Sequence, residues 1–349
     1  MGSIKLEYIC SKRTDVKTII NEIEYGNTFI INHEGEKTVP LWGNDFFWVK
    51  PHIIDDCRFY LYVDDSFFTI ETFFEKIITA FIYNLQDFGA VRLELIDISN
   101  SELDFLYPEG IGVDIFSNYP ICGTIFKPYY HFSRQKKCDF ASKMISMGID
   151  LIKEDETYLI CKEQLIYDAI KIQSTMGPNA FYVPNITSFV HDYNLLSMLY
   201  DAGIKIVMVN FLVTGFSQIN RLKQSFPKLK IWGHRVGYSP LENIISMKAL
   251  AKIAVLSGID YLHLGTSIER KILAQQHELI NELRMLAPFL PVFSKTSPEI
   301  NPMLLNNLGH ELILMACGYF RNEQTSEINW AQVKKWIRAA KLDVKLYNN

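Results

Sequence analysis

The sequence predicts an α/β protein: a small N-terminal α+β domain followed by a (β/α)8 TIM barrel. Three observations carry this. From residue 121 onward, eight short apolar runs recur, namely CGTIFKP, IDLIKED, NAFYVPN, KIVMVNF, KIWGHRV, IDYLHLG, LPVFSKT and LILMACG. Seven of them have a helical segment between themselves and the next, and eight such units close a barrel. No G-x-G-x-x-G follows any run, as the first turn of a doubly wound open sheet would have it.

The 349 residues suit two domains. Residues 1–118 are expected to form the α+β (ferredoxin-like) domain, and residues 119–349 the barrel with a C-terminal helix. In the first part IKLEYIC, TFIIN, RFYLYVD and AVRLELIDI have strand composition. TDVKTIINEIE and TIETFFEKIITAFIYNL have helical spacing, with Thr or Asp near their starts. Helices on one face of an antiparallel sheet follow. SNSELDFLYPEGIGVD, rich in turn formers, is the connector. In the barrel, helices are expected over 133–147, 187–203, 241–257 and 268–288.

The chain is 48% hydrophobic and 21% charged, with a formal net charge of −4. That charge is no footprint for nucleic acid. No apolar stretch approaches the ~18 residues that a membrane span needs. The N-terminus lacks a signal-peptide pattern, and Leu6 stands where a myristoylation site wants Ser or Thr. The six cysteines, at 10, 57, 122, 138, 161 and 317, are scattered without a C-x-x-C pair. They are expected to be reduced thiols packed in the core of a cytoplasmic protein.

Each barrel run is apolar first and polar last. The ends hold Lys127, then Lys153 with Asp155 and Glu156, then Asn185, Asn210, His234 with Arg235, His263, and Ser294 with Lys295. In a barrel the carboxyl ends of the strands form one rim, where active sites are built. Lys153 and Asp155 stand two apart and so face the same way on a strand, while Glu156 can curl back where the strand ends. Glu154 is expected to face away and to tolerate substitution. Paired carboxylates suit Mg2+. A lysine beside them either takes up CO2 and becomes an anionic carbamate ligand, or pairs with Asp155 or Glu156 as a salt bridge. Spacing alone leaves both readings open.

GTIFKPYYHFS and MGIDLIKEDE together resemble the barrel start of the ribulose-bisphosphate carboxylase/oxygenase (RuBisCO) large-subunit family, which includes the RuBisCO-like proteins. There G-x-x-x-K-P precedes G-x-D-x-x-K-D-D-E. KIVMVNFLVTGF, IWGHRVGY and AKIAVLSGIDYLHLGT resemble later segments of the family, and TAFIYNLQDFGAVRLELIDI resembles part of its small domain. The resemblance implies that Lys153 is carbamylated and binds Mg2+ with Asp155 and Glu156. It implies that Lys127 moves protons at the reacting carbon and that His234 is a second catalytic residue. Arg235, His263, Ser294 and Gly318 would bind the substrate and its phosphate. Asn84 and Thr28 would come from the partner chain of a homodimer or an assembly of dimers.

The departures are as informative. GTSIERK places Glu269 and Arg270 where the carboxylase has a glycine and the lysine that holds CO2. Tyr129 replaces a second lysine and His131 a glycine, and SKT and ACGYF thin the glycines after the last two strands. The resemblance therefore implies a Mg2+-dependent RuBisCO-like enzyme without productive CO2 fixation. It would enolise, isomerise or decarboxylate a small, monophosphorylated ketose or keto compound, as a methionine-salvage enolase does. A true carboxylase and a non-catalytic family member remain the alternatives.

Overall fold

The computed structural model describes residues 2–10, 16–17, 30–31, 37–40, 46–69, 72–82, 91–101, 115–116, 118–127, 133–155, 161–266, 269–321 and 327–341. The chain forms two compact units. One comprises residues 1–107 with 237–257, the other residues 108–236 with 258–349.

The first unit is an antiparallel sheet. Its strands are β1 (Ser3–Cys10), β2 (Ile30–Ile31), β3 (Lys37–Pro40), β4 (Phe46–Asp55), β5 (Arg58–Asp64) and β6 (Val91–Asn100), in the order β2-β3-β4-β5-β1-β6. In β1 every second residue is buried, so Ile4, Leu6 and Tyr8 face Val63, Leu61 and Phe59 across the β1/β5 pair. Tyr8 stacks on Phe59 with ring centroids 4.8 Å apart. Its hydroxyl donates to the Phe81 carbonyl at 2.8 Å, which ties the sheet to the helix Phe73–Phe81.

Strand β4 has no counterpart among the expected strands, because Pro51 cannot donate to a ladder and demotes the run. Among the described residues β3 pairs with β4 as far as Val49, and on the β5 side Pro51 faces Leu61. The helix Met247–Leu256, which chain order places among the barrel helices, packs with this sheet. Leu93 of β6 donates to the Ile244 carbonyl and accepts from Ser246 N, both at 2.9 Å.

The second unit holds eight parallel strands: β7 (Ile121–Ile125), β8 (Leu151–Lys153), β9 (Phe181–Val183), β10 (Ile206–Asn210), β11 (Lys230–His234), β12 (Tyr261–His263), β13 (Leu290–Phe293) and β14 (Ile313–Met315). A parallel bridge between Asn185 and Met208 joins β9 to β10. Ile186 N donates to the Met208 carbonyl at 2.9 Å and Met208 N to the Pro184 carbonyl at 2.8 Å. The interior is filled by side chains such as Ile121, Leu151, Val183, Met208, Trp232 and Val292, so it is a packed core with no channel.

The helices lie where the spacing predicts. Arg134–Ser146 and Arg270–Leu286 start from β-region residues. The expected 187–203 helix divides into a short turn at Thr187–Phe189 and a helix at Tyr193–Asp201. The break falls at Asp192, whose carboxylate accepts from Leu195 N at 2.9 Å and so starts the helix there. Among the described residues no helix is long and apolar enough to cross a membrane.

The amino ends of the strands are held by buried ion pairs. Asp260 accepts from Lys223 Nζ at 2.8 Å, from Lys230 Nζ at 3.0 Å and from Ile231 N at 2.8 Å.

Candidate active site

Every strand of the barrel delivers its last residues to one rim, because all eight run parallel. Lys153, Asn210, His234 and His263 are the final residues of β8, β10, β11 and β12, while Ser294 follows β13 directly and Lys127 stands two positions after β7. The structure brings two groups of the expected residues together.

The first group is Lys127, Lys153 and Asp155. Lys127 Nζ lies 3.4 Å from Asp155 Oδ2, with the Lys127 side chain 37% exposed and that of Asp155 8%. Lys153 is fully buried. Its Nζ donates to the Glu154 carbonyl at 3.1 Å and approaches Met208 Sδ at 3.5 Å. Asn185 Nδ2 donates to the Asp155 carbonyl at 3.4 Å and so holds the chain where it leaves β8. Glu156 lies outside the described residues.

The second group is His234, His263 and Ser294, with Arg235 beside them. The two imidazole rings lie 4.6 Å apart. His263 Nδ1 is 3.1 Å from Ser294 Oγ, and its Nε2 is buried without a hydrogen-bond partner among the described residues. Burial first, then the charges of His234, Lys153 and Arg235, push the His263 pKa well below the usual imidazole value. That cause also couples the two groups electrostatically through Lys153. Arg235 lies over Gly265, where an added Cβ would come within 2.5 Å of Nη2 and where φ is +91°. Only glycine admits both that backbone angle and that approach.

Because His263 is neutral when folded, protonation favours the unfolded chain at pH values below the ordinary imidazole value of 6.5. Stability is expected to fall as pH drops from 6.5 towards the depressed folded value, by up to about 1.4 kcal/mol per pH unit. Melting temperatures between pH 7 and about pH 5 should decline less in His263→Gln than in the parent; an equal decline would contradict a neutral buried His263.

Gly318 is exposed after β14, in the turn Gly318–Phe320, with nothing within 4 Å of an added Cβ. Beside it, burial raises the Cys317 thiol against the opposing influence of Arg321, Lys127 and Lys153. Arg321 therefore belongs to the same neighbourhood, a residue that sequence reading misses because it follows the strand end by six positions. Asn84, Thr28, Tyr129 and His131 lie outside the described residues.

The expectation that Glu154 tolerates substitution is corrected. It faces the helical layer, not solvent, and is 2% exposed. Lys137 Nζ of the helix Arg134–Ser146 donates to it at 3.3 Å, and the Tyr182 hydroxyl donates to it as well. Burial raises the Glu154 pKa and lowers that of Lys137, each partly offset by the other's charge. Glu154→Ala would take from the Lys137 ammonium, itself 1% exposed, the carboxylate at 3.3 Å, with Asp168 standing farther off at 3.8 Å. A loss of about 3–5 kcal/mol in denaturant unfolding is expected; a loss under about 1 kcal/mol would show that the pair is dispensable.

Among the described residues no three His, Cys, Asp or Glu side chains cluster as a metal site. The donors present nevertheless suit a hard cation in type. Asp155 offers carboxylate oxygens at the rim, and the buried Lys153 would add an oxygen donor as a carbamate.

The fold and rim together define a β/α-barrel protein with a small antiparallel sheet domain ahead of the barrel, its site built on strand ends. Residues 113–286 match the catalytic domain of the ribulose bisphosphate carboxylase large chain, and the chain belongs to that family. A ribulose bisphosphate carboxylase of Methanocaldococcus jannaschii is 29% identical over 233 residues, 57% of this chain and 55% of that protein. The match thus spans about half the length of that curated relative. An octameric RuBisCO from Pyrococcus horikoshii OT3 shares the fold with a TM-score of 0.75 at 20% identity, covering 99% of this chain and 88% of that one. The rubisco-like protein MtnW from Alicyclobacillus acidocaldarius does so with a TM-score of 0.73 at 18% identity, covering 99% and 95%.

Proposed function

We propose that this protein is a Mg2+-dependent RuBisCO-like enzyme. It enolises, isomerises or decarboxylates a small monophosphorylated ketose or keto compound. The observation that carries the reading is the Lys127–Asp155 ion pair beside the fully buried Lys153 at one rim, in a chain of this family. Asp155, Glu156 and carbamylated Lys153 would hold the cation, which when bound lowers the cost of negative charge on an enediolate oxygen. Lys127 removes the proton at the reacting carbon as the neutral amine and returns it as the ammonium. Its side chain is 37% exposed, so it can change partners without leaving the rim. His234 supplies a second polar group, while Arg235, His263, Ser294 and Gly318 bind the phosphate. Asn84 and Thr28 would be contributed by the second copy of a homodimer or an assembly of dimers, which sedimentation of the native protein tests.

The test of the reaction class is metal-dependent exchange of a substrate proton with D2O across monophosphorylated ketones, ketoses and sugar acids, after activation with bicarbonate and Mg2+. Absence of exchange across that panel would contradict an enolising enzyme.

The names of the curated relatives favour a second reading, carboxylation of ribulose bisphosphate. The loop after β12 argues against it. Only residues 264–269 connect β12 to the helix Arg270–Leu286. Glu269 occupies the position before that helix, and Arg270 and Lys271 are its first residues. Their charges therefore stand at a helix start. Purified, bicarbonate-activated protein is expected to incorporate no radiolabelled CO2 into phosphoglycerate from ribulose bisphosphate. Sustained incorporation would establish the carboxylase instead.

A further inference from the structure

Along the β1/β5 pair the buried face is a ladder of directly opposed residues: Ile4 with Val63, Leu6 with Leu61, Tyr8 with Phe59. The register of Ile9 with Arg58, continued by one residue, sets Cys10 opposite Cys57 on the same face. The backbone confirms the pairing, since Cys10 N donates to the Cys57 carbonyl at 2.6 Å. Both are free thiols, Cys10 buried and Cys57 partly exposed.

We propose that Cys10 and Cys57 are a redox modification site, a dithiol that low-molecular-weight disulfides convert to a reversible cross-strand disulfide. Directly opposed residues in an antiparallel pair have Cβ atoms about 4.5–5.5 Å apart, and a disulfide needs about 3.5–4.5 Å. The bridge therefore forms with a small approach of the two strands at their open end. Cys57 sits in the turn between β4 and β5, where that approach moves a hairpin tip and leaves the sheet centre in place. A bridge formed under such tension is more easily reduced than an unstrained one, which makes it a switch more than a permanent staple.

The order of events follows from access. The Cys57 thiolate attacks a sulfur of the reagent disulfide and releases one reagent thiol. The Cys10 thiolate then attacks the Cys57 sulfur of the mixed disulfide and releases the second. Two protein thiols lose two electrons and two protons in all, and the reagent disulfide is reduced to two thiols. In the dithiol, burial and then the neighbouring Cys57 push the Cys10 thiol up to about 11; burial still acts once Cys57 is a mixed disulfide, so the second step is the slow one. The product ties β1 to the β4–β5 hairpin across the whole of residues 11–56.

The experiment treats the native full-length protein with oxidised glutathione, alkylates the remaining thiols and maps peptides without reduction. The expected result is a Cys10–Cys57 cross-link, with the count of titratable thiols falling by two from the six of the sequence. A rise in melting temperature reversed by dithiothreitol should accompany it. Cys10→Ser should stop at a glutathione adduct on Cys57, and Cys57→Ser should leave Cys10 reduced. Circular dichroism checks that both variants fold; should either fail, the wild-type peptide map decides alone. Wild-type protein in which Cys57 carries glutathione while Cys10 stays a thiol would overturn the proposal. So would a link between any other two cysteines, or no reaction at either residue.

Discussion

Lys153→Met is expected to abolish bicarbonate-dependent Mg2+ binding and to lower metal-dependent proton exchange by on the order of 10³-fold or more. The expectation rests on where the amine sits. The side chain is fully buried, and its Nζ contacts are a backbone carbonyl at 3.1 Å and a thioether at 3.5 Å, among others. The neutral amine is the form that attacks CO2, and the carbamate so formed is an oxygen ligand. Methionine keeps the volume, so the barrel should fold with little loss. Calorimetric titration with Mg2+ in bicarbonate separates the outcomes. Asp155→Asn should weaken binding in the same direction, since it removes a charged oxygen donor at the rim. Mg2+ affinity unchanged in Lys153→Met would remove the carbamate from the mechanism.

Lys127→Ala is expected to leave Mg2+ binding in place while proton exchange on the substrate falls by about 10²–10⁴-fold, the range for loss of a positioned acid–base group. The side chain is 37% exposed and its ion pair with Asp155 spans 3.4 Å. The Lys127 end of the pair is screened by solvent while the Asp155 end is 8% exposed, so the pair contributes on the order of 1 kcal/mol to folding. Thermal stability should therefore stay near that of the parent, so that lost exchange is a loss of chemistry. Exchange undiminished in a variant that still binds Mg2+ would assign the proton transfer to another group, with His234 the next to test.

Much of the barrel is local information. An apolar run ending in a polar residue is a strand whose far end meets solvent. Eight of them with helices between have one closed solution, and the eight strands of the second unit fall on those runs. The same reasoning made Lys127, Lys153, Asp155, His234, His263 and Ser294 stand out, since a residue at the end of a parallel strand reaches the shared rim whatever the rest of the fold does. Alternation also told correctly that Glu154 points away from Lys153.

What covers that other face was not legible. Lys137 comes from the preceding helix and Tyr182 from the next strand, and periodicity names a face without naming its neighbour. The hydrogen bond between His263 and Ser294 bridges 31 positions of sequence. Strand β4 was hidden by Pro51, which lies beyond the described β3/β4 pairs, the last of which on that side is Lys37 with Val49. The helix Met247–Leu256 is amphipathic like the barrel helices, and its place against β6 was decided by backbone hydrogen bonds to Leu93.

By itself, then, the sequence determined the number of barrel strands, their shared direction and the residues at their ends, because these follow from side-chain periodicity within a few neighbouring positions. Tertiary structure alone decided the partners: Asp155 for Lys127, Lys137 for Glu154, Ser294 for His263 and Cys57 opposite Cys10. Each partner is set by strand register or helix placement across a long loop of chain, and no local pattern carries that distance.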